Sequence, residues 1–184
     1  MGSSVVTMTQ TSTSTANLTG ERATLLAEIA KQRFFLRFTA RDLTDAQAGA
    51  RSTVSELCIG GLIKHVTAVE QSWVDHITDG IPQKNFADLT EADFQARTDE
   101  FRMLPGETLA DVLAAYEEVA CRTDEIVAHT DLDVLWPLPE APWFKEERAW
   151  STRQVLLHLI AETAQHSGHA DIIREAIDGS KTMG

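Results

Sequence analysis

The sequence predicts an all-α fold, a four-helix bundle with one short extra helix between the second and third long helices. Three observations carry this. Apolar residues recur at helical rather than strand spacing in four long stretches, three of those stretches open on a residue pair able to cap a helix, and clean period-two alternation is absent.

The elements follow in order. Glu21 to Asp42 sets Leu25, Ile29, Phe35, Leu36 and Phe38 along a first helix that ends near Thr44. Thr53 and Glu56 have the spacing of a capping box, in which each side chain satisfies an unpaired backbone N–H of the other. They open a second helix that runs to Thr78 and stops at Asp79-Gly80, before Pro82. A shorter helix from Thr90 to Phe101 occupies the connection that follows. Thr108 and Asp111 form a weaker box for the third long helix, Leu109 to His129. Ser151 and Gln154 open the fourth, which Asp178-Gly179 closes. Long amphipathic helices joined by two longer connections suit a bundle whose functional site lies between facing helices.

The chain has 184 residues, the size of one domain, taken as 19–184 after a Ser/Thr-rich tail over 1–18 expected to be disordered. Its apolar runs fall short of the roughly 18 residues a membrane span requires. A formal charge of −12 without a basic patch argues against a nucleic-acid surface and against anionic membranes. Cys58 and Cys121 form no CxxC motif, which fits reduced thiols and a cytoplasmic location.

The fourth helix carries His158, Glu162, His166 and His169. At about 100° per residue they fall at roughly 0°, 40°, 80° and 20°, on one face. Leucine, isoleucine and alanine fill the other faces, so the helix is expected to be interior, where unpaired charge costs several kcal/mol. A bound cation would satisfy such a stripe. Glu162 and His166, one turn apart, can ligate a single ion. Spacing alone is weak, since Glu125 and His129 repeat it at the end of the third helix, where it reads as a solvated ion pair or a contact with the helix dipole. His65 strengthens the reading because it shares a core-facing stripe with Leu62, Val66, Val69 and Trp73 on the second helix. A lone histidine there is more often a satisfied core residue; together with Glu162 and His166 it makes a three-ligand site with open positions, the pattern of a catalytic ion.

His158 and His169 are candidate catalytic groups: a fourth ligand, a proton donor or acceptor, a group orienting Glu162, or purely structural residues. His76 is expected at the surface and Cys58 in the core. Trp136, Trp143 and Trp150 lie in the long stretch DVLWPLPEAPWFKEERAW, expected to close over one end of the bundle. There Trp143 with Lys145, Arg148 or Arg153 would bind part of a substrate, the alternative being a hydrophobic plug with solvated charges.

The segments GGLIKHVTAVEQSW and LLHLIAETAQHSGHADIIREAIDG resemble the DinB-like superfamily of metal-binding four-helix bundles, in particular its mycothiol-dependent transferase and isomerase branch. The likeness covers roughly residues 20–179. It implies ligands at His65, Glu162 and His166. Many members have His where this chain has Glu162, whereas the isomerase branch is similar to it in using Glu. The common H-R-G-Q ending reads His166-Ser167-Gly168-His169 here. The resemblance implies a metal-dependent S-transferase with mycothiol as the thiol, acting on a small electrophile, and a homodimer as its assembly. Two imidazoles and a carboxylate suit zinc and could accept nickel, iron or manganese. No pair of Glu-x-x-His motifs supports a di-iron bundle. Metal-assisted hydrolysis and a non-enzymatic, stress-related metal-binding bundle are the alternatives.

Overall fold

The computed structural model describes residues 18–144 and 146–182, so the expected tail lies, but for its last residue, outside the described residues. The chain is mostly helical: α1 (Gly20–Thr39), α2 (Asp45–Ala48), α3 (Ile59–Thr78), a 3-10 turn (Phe86–Asp88), α4 (Glu91–Glu100), α5 (Leu109–His129) and α6 (Thr152–Asp178). Two strands, β1 (Leu135–Pro137) and β2 (Ala149–Ser151), pair antiparallel with Trp136 opposite Trp150. No strand was expected, because three residues are too few to display a period of two.

Local chemistry explains where the elements begin and end. The first helix stops at Thr39 rather than Asp42, which itself adopts a left-handed φ of 60°. Thr44 then caps the four-residue α2 in a full box with Gln47. The second long helix starts at Ile59, not behind Thr53. The Thr53 hydroxyl accepts from the N–H of Ser55 and the Ser55 hydroxyl from that of Leu57, two local turns that compete with a helix. The Cys58 sulfur caps α3 instead, accepting from Gly61 N at 3.4 Å. Thr108 accepts from Asp111 N at 3.1 Å, and Ser151 with Gln154 forms the expected box. Gly179, at φ 77°, ends α6 in a left-handed conformation that glycine adopts without steric cost.

Packing of the apolar faces sets α1 against α6 and α5, and α3 against α5 and α6. Leu36, Ile59, Leu62, Ile63, Tyr116 and Ile173 fill one buried cluster; Ile29, Trp73, Val74, Val119, Val155 and Leu159 fill another. The end of α4 seats on the first turns of α3. A Cβ on Gly61 would stand 2.1 Å from the Phe101 carbonyl oxygen, so only glycine permits this approach. Lys64 Nζ donates to the carbonyls of Asp99 at 3.2 Å and Arg102 at 2.9 Å, satisfying acceptors at the C-terminal end of α4. Among the described residues, no helix is long and apolar enough to cross a membrane.

Candidate metal centre

Helix α3 carries His65 inward, 1% exposed, to meet Glu162 and His166 of α6. Both imidazoles aim Nε2 at one carboxylate oxygen: Glu162 Oε1 lies 3.1 Å from His65 Nε2 and 3.3 Å from His166 Nε2. One ligand atom from each residue lies within 4.8 Å of the others. The opposite ring nitrogens are engaged as well. His65 Nδ1 lies 3.0 Å from Glu100 Oε2, and His166 Nδ1 lies 3.4 Å from His169 Nδ1. A neutral imidazole whose Nδ1–H is held leaves its Nε2 lone pair directed at the common point. The donor set, two such imidazoles and a carboxylate, therefore fits a divalent cation.

The electrostatics agree. Hydrogen bonds from His166 and then His65 hold the Glu162 carboxyl well below the usual carboxylate range, against partial burial. Burial, the largest influence on His65, opposes its charged form, yet Glu100 and Glu162 together outweigh it and raise its affinity for a proton. Burial lowers the affinity of His158 for a proton and so favours its neutral form, against the opposing charge of Glu162.

A cavity of about 570 Å³ opens beside the group, with Glu162 and His158 on its wall. Trp73, Trp143, Phe144 and Trp150 supply aromatic surface, and Lys84 and Arg97 supply cations. The two-stranded hairpin brings Trp150 into place. Its ring stacks on Trp73 at 5.4 Å and 18°, and its centroid lies 5.2 Å from that of His158.

Among the described residues, those singled out in the sequence each have a definite place. His65, Glu162 and His166 converge, His169 touches His166, and His158 and Trp143 line the cavity, Trp143 being 62% exposed. Arg148 is exposed and lies off the cavity wall. Arg153 also lies off it, its guanidinium bound to Glu21 at 2.5 Å and to Asp133, so these carboxylates already occupy it. Lys145 lies outside the described residues. His76 is buried, not at the surface, because the hairpin covers it: its ring nitrogens lie 2.9 Å from the Ile81 carbonyl and 3.1 Å from that of Pro137. Cys58 is buried as expected. Glu125 and His129 are exposed at the end of α5. Glu100, Lys84 and Arg97 were missed. They lie in polar sequence with no periodic signal, and Glu100 meets His65 across 35 positions of chain.

Fold and site define a helical protein with a two-histidine, one-carboxylate group between facing helices, open to an aromatic-walled cavity. The family model described as mycothiol-S-transferase matches residues 24–179. The chain belongs to this family, a DinB-like branch. Its fold is also similar to the crystal structure of a conserved protein from Enterococcus faecalis, with a TM-score of 0.62, 14% sequence identity, and coverage of 89% of this chain and 100% of that one. A comparison with curated proteins gives no match.

Proposed function

We propose that the protein is a divalent-metal-dependent mycothiol S-transferase, a DinB-like four-helix bundle in which His65, Glu162 and His166 are the ligands. The observation that carries this reading is the convergence of both Nε2 atoms on Glu162 Oε1 beside a cavity large enough for a small substrate. His65, Glu162 and His166 would hold a divalent ion, with zinc the best match to this donor set, and the ion would supply stabilisation of the thiolate of a substrate whose free thiol, with a pKa of about 8.5, stays mostly protonated at neutral pH.

The chain's own groups do the rest. His158, neutral and on the cavity wall, accepts the proton that leaves the thiol on one ring nitrogen. The sulfur forms a bond to an electrophilic carbon, and the leaving group departs with the electron pair of the broken bond. Phe144 and Trp150, half-buried, and the exposed Trp143 offer flat apolar surface to the electrophile. His169 holds His166 in orientation through Nδ1. The family match favours this reading over hydrolysis and over a non-enzymatic bundle. Cytoplasmic location fits Cys58 and Cys121, both free thiols.

Elemental analysis with a conjugation assay tests the proposal. Wild-type protein is expected to carry about one divalent ion per chain and to join mycothiol to a haloarene, the product being identified by mass. Glu162→Gln and His166→Ala are expected to lose the ion while keeping the helical circular dichroism. Full metal content in both variants would falsify the ligand assignment, and turnover indifferent to added thiol would favour the hydrolase.

A further inference from the structure

The geometry points to Glu100 as a positioning residue for the metal centre, through which helix α4 sets the affinity of His65 for its ion. The inference rests on the proposed ligand set and assigns a role to an element outside the helices that carry the ligands. Glu100 Oε2 lies 3.0 Å from His65 Nδ1 and 3.1 Å from Arg97 Nη1. A carboxylate on the far nitrogen of a ligating imidazole fixes the tautomer, locks the ring's rotation and makes the near nitrogen a stronger donor.

Three observations separate this role from ordinary helix stabilisation. Glu100 is the last residue of α4, where the negative end of the helix dipole disfavours a carboxylate, and its ion pair with solvent-exposed Arg97 on the same helix offsets this only weakly, so helix stability accounts for little of its placement. None of the residues of α4 is buried, so core packing does not account for it either. The chain around it is also fixed upon α3 within a turn of His65. Gly61 admits the Phe101 carbonyl, Lys64 donates to the carbonyls of Asp99 and Arg102, and the Phe101 ring stacks on the His65 imidazole at 4.1 Å and 24°. Contacts on every side thus leave the His65 ring one orientation. Glu100, itself paired with Arg97, places a second carboxylate at His65 on the ring nitrogen opposite the one that faces Glu162.

Competition between the protein and a chromophoric chelator for zinc measures the effect without reference to turnover. Glu100→Ala is expected to weaken zinc binding about 10–100-fold. Glu100→Gln is expected to lose less, because its amide oxygen still accepts from Nδ1–H without the charge. Thr90→Ala, which removes the cap at the opposite end of α4, is expected to bind zinc as the wild type does. Wild-type affinity in Glu100→Ala would overturn the inference. An equal loss in Thr90→Ala would also overturn it, since the seating of α4 and not the carboxylate would then be responsible. Wild-type protein that takes up no zinc would instead overturn the ligand set beneath it.

Discussion

Two buried ionic groups in this molecule show at the level of single residues what marks a cation site. Arg33, nearly buried, pairs with buried Glu70 and lies 2.8 Å from Asp124 Oδ1, while Thr123 Oγ1 donates to Glu70 Oε1 at 2.5 Å. Here the positive charge is covalently part of the chain, so the ion pair calls for no bound cation, although Arg33 Nε and Glu70 Oε2 stay buried without a hydrogen-bond partner among the described residues. Around His65 two carboxylates flank the ring; Arg97 pairs with Glu100, whereas Glu162 meets only the imidazoles of His65 and His166 among the described residues. The first group predicts a stability effect. Glu70→Ala leaves Arg33 buried with only the half-buried Asp124, and chemical denaturation is expected to show a loss of about 3–5 kcal/mol. Tyr116, fully buried beside this group, has a hydroxyl without a well-formed hydrogen bond among the described residues, Thr163 being the side chain near it, and burial pushes it to hold its proton more tightly. Tyr116→Phe removes an unsatisfied polar atom at little cost in volume, so the same measurement is expected to show unchanged or slightly raised stability. A loss as large as that of Glu70→Ala would mean that the hydroxyl does have a partner.

Helix α4 shows how much an element can matter without contributing to the core. Its seating depends on Gly61, and two opposed magnitudes decide what Gly61→Ala does. Alanine is favoured over glycine within a helix by about 1 kcal/mol. Against that, the new methyl would meet backbone, 2.1 Å from the Phe101 carbonyl oxygen, and overpacking of this kind costs about 1–3 kcal/mol. The clash is expected to win, lowering the melting temperature and weakening zinc binding as Glu100 and Phe101 move off His65. Gly60→Ala meets the flexible Met103 side chain, with the sulfur 2.4 Å away, and is expected to cost less. If Gly60→Ala proves the more damaging, the seating described for α4 is wrong. The long helices could be read from the sequence because caps such as Ser151–Gln154 and apolar stripes are local signals. Thr53 misled for an equally local reason, since its hydroxyl closes a turn onto Ser55. Burial of His76 and capture of Arg153 by Glu21 and Asp133 depend on partners distant in sequence, and no spacing rule reveals them. The spacing of Glu162 and His166 was visible; the carboxylate behind His65 was not.

At the scale of the whole molecule, the candidate centre ties α3 to α6 and, through Glu100, to α4, yet it is not what holds the helices together. Apolar clusters containing Leu62 and Tyr116 on one hand and Trp73 and Leu159 on the other pack without it. This differs from a small zinc domain, whose folding free energy is its metal-binding free energy. Metal should therefore act here as a ligand of an already folded chain, adding a stability of RT ln(1 + [L]/Kd), about 2.7 kcal/mol at a hundredfold excess over Kd. For a domain of this size each kcal/mol moves the midpoint by about 2–4 °C, so saturating zinc is expected to raise the melting temperature by about 5–10 °C. Far-UV circular dichroism at room temperature should stay unchanged between the chelator-treated and zinc-loaded forms. Glu162→Gln should melt at one temperature with or without zinc, because the bridge between α3 and α6 has lost its shared carboxylate. Unfolding on chelation at room temperature would show that the ion belongs to the structural core, where it would have no exchangeable position to offer a thiol. A zinc-dependent shift that survives in Glu162→Gln would place the ion elsewhere in the molecule.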